Sequence, residues 1–88
     1  MYLHLGGDFS VRMNEVISIH ELQPMISSQE GQRFLSVHKE NVKDVSGGRP
    51  RSAVITTDAI YLSALSPGAL KNRSLIFGKM RRLSKTEA

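Results

Sequence analysis

GGRPRSAVITTDAIYLSAL, residues 47–65, decides the fold. Residues 52–57 form the strongest strand signal in the chain, a β-branched run entered from a glycine- and proline-containing turn. Asp58-Ala59 reads as a tight connection. Residues 60–65 then alternate, with Ile60, Leu62 and Ala64 on one face and Tyr61, Ser63 and Leu65 on the other. With the short apolar-ended run at 42–45 placed before them, residues 42–65 predict a meander of three antiparallel strands.

Toward the N-terminus the same period continues. Leu3 and Leu5 alternate with polar neighbours, Gly6-Gly7-Asp8 is a turn, and Phe9 and Val11 alternate again, which predicts a hairpin. Residues 16–20 are β-branched-rich and predict a strand with Ile17 and Ile19 facing inward, ended by Pro24. Ser27 and Glu30 stand at capping-box spacing, so a helix is expected from near Ser27. Phe34, Leu35 and His38 continue one face of it, and Asn41 can terminate it. Gly31 inside that pattern weakens it by ~1 kcal/mol relative to Ala. Ser66-Pro67 opens a second helix, whose apolar stripe runs through Leu70, Ile76, Phe77, Met80 and Leu83. The expected fold is α+β: a small, mostly antiparallel sheet of about five short strands, one internal helix and one C-terminal helix. Residues 1–83 make a single domain and residues 84–88 a frayed basic and polar tail.

The chain has 88 residues, enough for one core, and a domain of this size buries only about 60% of its unfolded surface. Association with further copies is the ordinary remedy. There is no cysteine, which removes disulfides and thiolate metal sites as supports. The first residues lack the basic start and apolar run of a signal peptide, and no apolar run approaches the roughly 18 residues of a membrane span, so a soluble cytoplasmic protein is expected. Charge is uneven. Residues 1–30 carry one Arg against four acidic residues, a balance of −3, and residues 31–88 carry eleven Lys and Arg against four, a balance of +7. A basic second part points to a polyanionic partner.

Enzyme chemistry finds little support. His4, His20 and His38 are 16 and 18 residues apart with no second ligand at metal-binding spacing, so neither a metal nor a small-molecule cofactor is expected. No serine sits in a G-x-S-x-G elbow, and residues 47–52 lack the spacing of a phosphate loop. The C-terminal stripe flanked by basic residues resembles a membrane-surface helix, but in so small a domain it is needed to cover the sheet.

The loop before residue 52 carries the sharper signal. Gly47 and Gly48 permit a tight reversal, Pro50 fixes its own φ, and that proline holds Arg49 extended. Arg49 and Arg51 are thus two forked cations on a stiffened tip, suited to phosphate or to the guanine edge. Two arginines per chain are few for DNA, and several copies in a symmetric oligomer would multiply them.

The segments MYLHLGGDF at the start, NEVISIHEL after the first hairpin, and GGRPRSAVITTDAIYLSALSPGALKNR resemble the Rem family of bacterial extracellular-matrix (biofilm) regulators. The similarity spans most of residues 1–75 and is closer to the RemB-like branch, with its M-Y-[IL]-H-L-G opening and G-x-P-[KR]-S turn. The resemblance implies a small α/β protomer assembling into ring-shaped homo-oligomers. In the RemA branch such rings bind promoter DNA and activate matrix genes through a basic cluster after the turn glycine. Arg49 falls on the first basic position, Pro50 on the next with Arg51 one step on, and Glu15 stands where a third arginine would be. The function so implied is a cytoplasmic regulator contacting double-stranded DNA through Arg49 and Arg51, with Arg12 extending the surface if the first hairpin lies beside the loop. The alternative is a structural or adaptor ring that binds a protein partner without DNA.

Overall fold

The computed structural model describes residues 1–72. Strands β1 (Tyr2–Gly6) and β2 (Phe9–Arg12) form an antiparallel hairpin closed by Gly6 and Gly7, both at positive φ. A 3-10 turn (Met13–Glu15) leads into β3 (Val16–Glu21), followed by helices α1 (Leu22–Ser27) and α2 (Gln29–Val37). After another 3-10 turn (Lys39–Asn41) come β4 (Val42–Asp44), β5 (Ser52–Thr56) and β6 (Ile60–Ser63). Residues 67–72 are helical and are called α3. The α+β class is as expected, and six strands in two sheets replace the single sheet of about five.

The larger sheet has the order β3-β5-β6-β4. β5 is central and lies antiparallel to both neighbours, while β4 lies parallel to β6. The antiparallel meander expected for 42–65 is therefore correct only for its second half. The reason is connection length: a short turn joins β5 to β6, whereas β4 feeds a longer loop that carries the chain past β6 to β5 on its other side.

Alternation along β5 sorts the core into two layers. Val54 faces Leu3, Leu5, Val11 and Leu70, the hairpin and α3 side, while Ala53 faces Leu22 and Ile60, the α1–α2 side. Val54, Leu3, Leu5 and Leu70 have essentially no exposed surface, so truncating any of them to Ala is expected to cost about 2–5 kcal/mol. On β3 the expected inward pair Ile17 and Ile19 is corrected. The register slips between Val16 and Ser18, a bulge that leaves Ile17 unmatched and 64% exposed and turns Val16 and Ile19 toward the same layer.

The helical layer also departs from expectation. Pairing along β3 ends at Glu21, before Pro24, which is the third residue of a helix the sequence did not announce, where its missing N–H has no helical partner to lose. The cap of α2 is Ser28, one residue later than the Ser27 expected, and its hydroxyl accepts from the Gly31 N–H at 2.9 Å. Gly31 is there because nothing larger fits. A β-carbon on it would stand 1.9 Å from the Met25 carbonyl oxygen. For α3 the sequence reading holds: the Ser66 hydroxyl accepts from Ala69 N–H at 3.1 Å, with Pro67 the first helical residue. Ile76, Phe77, Met80 and Leu83 of the expected stripe, the boundary at 83 and the tail at 84–88 lie outside the described residues.

Candidate nucleic-acid interface

The loop between β4 and β5 is held at three places. Its first foot is Val45, whose N–H donates to the Leu62 carbonyl at 3.0 Å, and its last is Arg51, whose N–H donates to the Ser63 carbonyl at 2.7 Å. Two successive carbonyls of β6 therefore fix both ends. Between the feet, the Asp44 carboxylate accepts from the Ser46 N–H at 2.8 Å and from the Ser46 hydroxyl, and that hydroxyl accepts from Gly48 N–H at 3.2 Å. The Ser46 hydroxyl, and after it the Ser46 N–H, hold the Asp44 carboxyl below the usual aspartate range. Gly47 and Gly48, at φ of 75° and 93°, make the reversal that a side chain would strain.

Arg51 is fixed from a third direction. Its carbonyl accepts from Leu22 N–H at 3.0 Å, satisfying one of the open donors at the start of α1, where Glu21 makes no side-chain cap. The loop thus positions α1 as well as its own arginines. Arg49 and Arg51 are exposed and Pro50 between them is half-buried. Guanidinium groups held on such a frame lose little backbone freedom on binding and present planar donors to phosphate oxygens.

Arg12 is placed elsewhere. It pairs with Tyr2 at the open end of the hairpin, three residues before Glu15, whose carbonyl accepts from Thr57 N–H at 3.1 Å. Thr57 follows β5, whose five residues span about 17 Å from the Arg51 end. The part of the hairpin that does approach the loop's footing is the C-terminal end of β1: the Ser63 hydroxyl donates to the Leu5 carbonyl at 2.6 Å. Within one protomer Arg49 and Arg51 share the loop between β4 and β5, and Arg12 lies in the hairpin, toward the other end of β5.

Three supporting residues escaped the sequence reading: Asp44, Ser46 and Ser63. An Asp two residues before a Ser and three before Gly-Gly is an Asx-turn signal and was available at 44–48. Nothing local marks the carbonyls of Leu62 and Ser63 as footholds. A concavity of about 230 Å³ lies between the end of α2 and the β5–β6 turn, over Phe34, His38 and Asp58, at the end of β5 remote from the arginines. Among the described residues no three His, Asp or Glu side chains gather as a metal site would need, and no helix is long and apolar enough to cross a membrane.

Residues 2–74 match a family model described as RemA-like, extracellular matrix regulatory protein A-like. Extracellular matrix regulatory protein B of Bacillus subtilis (strain 168) is 36% identical over 74 residues, an alignment covering 84% of this chain and 90% of that protein. The matched span contains the arginine loop, its Asp44–Ser46 brace and the β6 carbonyls that anchor it.

Proposed function

The chain belongs to the RemA-like family of extracellular matrix regulatory proteins, and from that premise we propose that it is a cytoplasmic, ring-forming regulator of matrix genes that holds double-stranded DNA through Arg49 and Arg51 of each subunit. The observation that carries the reading is the loop: two exposed arginines on a tip tied to Leu62, Ser63 and Leu22. Such a tip reads backbone and groove shape more than base sequence, because guanidinium–phosphate bonds fix register without distinguishing bases. The family is described as one of extracellular matrix regulatory proteins, which supports a role in binding.

Self-association supplies the multiplicity. β3 and β4 are the two edges of the four-stranded sheet, and different edges on one molecule are the raw material of a head-to-tail ring. Ile17 on β3 and Val37 on α2, 64% and 71% exposed, are apolar side chains that neighbouring copies would cover. Arg12 contributes in this reading only where the ring sets one protomer's hairpin beside the next protomer's loop.

The test is binding of a labelled duplex between about 50 and 200 mM salt, with Arg49→Ala/Arg51→Ala alongside and assembly size followed by light scattering. The proposal expects a steep salt slope, flattened by roughly 0.9 for each phosphate the variant no longer holds, at unchanged assembly size. Wild-type protein that ignores duplex at low salt but forms a ring would favour the adaptor reading, in which the ring binds a protein partner.

A further inference from the structure

The concavity between the end of α2 and the β5–β6 turn plays no part in holding the arginine loop, yet its lining is chemically particular. Its floor is apolar, formed by Ile55 and the buried Ala59 and Ile60. Phe34 and His38 wall one side, their ring centroids 4.8 Å apart and their planes tilted by 55°. Asn41 and Asp58, both exposed, stand at the rim, and Asp58 is the one lining residue of formal charge among those described.

The turn fixes where that carboxylate stands. The Thr56 hydroxyl donates to the Ala59 carbonyl at 2.8 Å and accepts from the Ala59 and Asp58 N–H groups at 3.1 and 3.4 Å. The carboxylate itself and the Asn41 side-chain amide make no hydrogen bond to another described residue. At about 230 Å³ the space falls short of the roughly 300–1,000 Å³ of small-molecule sites and suits one long side chain. A carboxylate beside aromatic walls over an apolar floor matches arginine. The fork takes the carboxylate with two parallel bonds, the planar cation lies against a ring, and the methylenes cover the floor. Lysine has the charge but neither the fork nor the plane.

The protein carries such a side chain on its own surface, for Arg49 is exposed at the tip of the braced loop. A protomer cannot bring its own Arg49 there. The feet of the loop are fixed at one end of the sheet, and β5 spans about 17 Å to the other. The arginine therefore comes from a second copy. A contact between unlike ends of two copies is heterologous, so each copy still offers a loop or a concavity to the next.

We infer that the concavity takes Arg49 of a second copy, an Arg49–Asp58 contact between separate rings that withdraws the loop from DNA. The inference rests on the DNA reading of the loop and adds its regulation. An Arg49 seated against Asp58 is not available to a phosphate, so duplex and self-contact compete for one guanidinium. Duplex-free protein shelters its loops in neighbouring copies, and duplex releases them.

The experiment follows association by sedimentation velocity over a range of protein concentrations, with and without excess duplex. It uses the full chain as wild type, Asp58→Asn, Arg49→Ala and the double variant. Circular dichroism establishes that each folds like the wild type. Glu30→Gln, at the start of α2 and away from the concavity at its end, controls for loss of charge alone. In duplex-free wild type, association above the ring grows with concentration. Each single variant weakens it by about tenfold, the double variant weakens it no further than either, and the ring itself keeps its size. Excess duplex brings the wild type to the size of the variants, and Asp58→Asn binds duplex more tightly than Glu30→Gln does. Single effects that multiply in the double variant overturn the pairing. So does a ring that itself breaks up in Asp58→Asn, which puts the concavity inside the ring interface. Variants that associate like the wild type, while duplex binding still needs Arg49 and Arg51, overturn the inference and leave the DNA reading standing. Coupled loss of association in a protein that binds no duplex upholds the contact between copies and ends the DNA reading together with its regulation.

Discussion

Replacing Gly31 with alanine sets two physical effects of opposite sign against each other. Helix propensity alone favours the substitution by about 1 kcal/mol. Packing opposes it, because the new β-carbon would meet three backbone atoms of Met25: the carbonyl oxygen at 1.9 Å, the carbonyl carbon at 2.7 Å and the α-carbon at 2.9 Å. None of these can turn aside as a side chain would. Restoring ordinary contact at 3.4 Å requires α1 and α2 to part by about 1.5 Å. α1 resists that movement, since Leu22 is buried and donates to the Arg51 carbonyl, and Gln32 Nε2 donates to the Ile26 carbonyl at 2.8 Å. Overpacking typically costs 1–3 kcal/mol, and losing the Ser28 cap about 1 more. With the propensity gain of about 1 kcal/mol subtracted, the net is a destabilisation of about 1–3 kcal/mol, against a total of roughly 4–13 for a chain of this length. Urea unfolding reads it directly: at about 1–1.5 kcal/mol per M, the midpoint falls by at least about 0.7 M with the slope unchanged. A midpoint equal to or above the wild type's would refute the packing argument and leave propensity in charge.

Ser52 and Ser63 make an opposed pair. The Ser52 hydroxyl is fully buried and has no hydrogen-bond partner among the described residues, so Ser52→Ala is expected to be neutral or stabilising by up to about 1 kcal/mol in thermal unfolding. Ser63→Ala loses the bonds to Leu5 carbonyl and Leu65 N–H and is expected to cost about 1–3 kcal/mol in the same assay. The Asp44 pKa is lowered in the folded state, so its contribution to holding the loop is present above the unfolded value of 3.8 and is lost as pH falls through the folded value. Carboxyl NMR titration should find it below 3.8 in the wild type and nearer 3.8 in Ser46→Ala. Arg49→Lys/Arg51→Lys should keep the salt slope of duplex binding while weakening affinity about tenfold, because charge is retained and the planar fork is lost.

Much of the fold was legible because local pattern and tertiary role coincide. The hairpin of β1 and β2, the central β5 and the Ser66 cap each announce themselves through period-two alternation, paired glycines or a cap followed by proline. Where the sequence misled, a partner distant in the chain decides. Ile17 belongs to an apolar run, yet a bulge against Thr56 and Ile55 turns it outward. β4 has only three residues, too few to signal direction, and its alignment with β6 follows from where the loop must land. Gly31 reads as a flaw in a helix until Met25 is placed beside it. The arginines of the candidate site were visible as residues, but their fixity was not. That comes from Asp44, Ser46, Leu62, Ser63 and Leu22, only the first two of which are near in sequence.

The most direct test of the account is a structure of the assembled protein bound to a duplex. Arg49 and Arg51 of successive protomers are expected with guanidinium nitrogens about 2.7–2.9 Å from phosphate oxygens, the Asp44–Ser46 brace intact behind them. A duplex seated on another surface, with both arginines left in solvent, would contradict it.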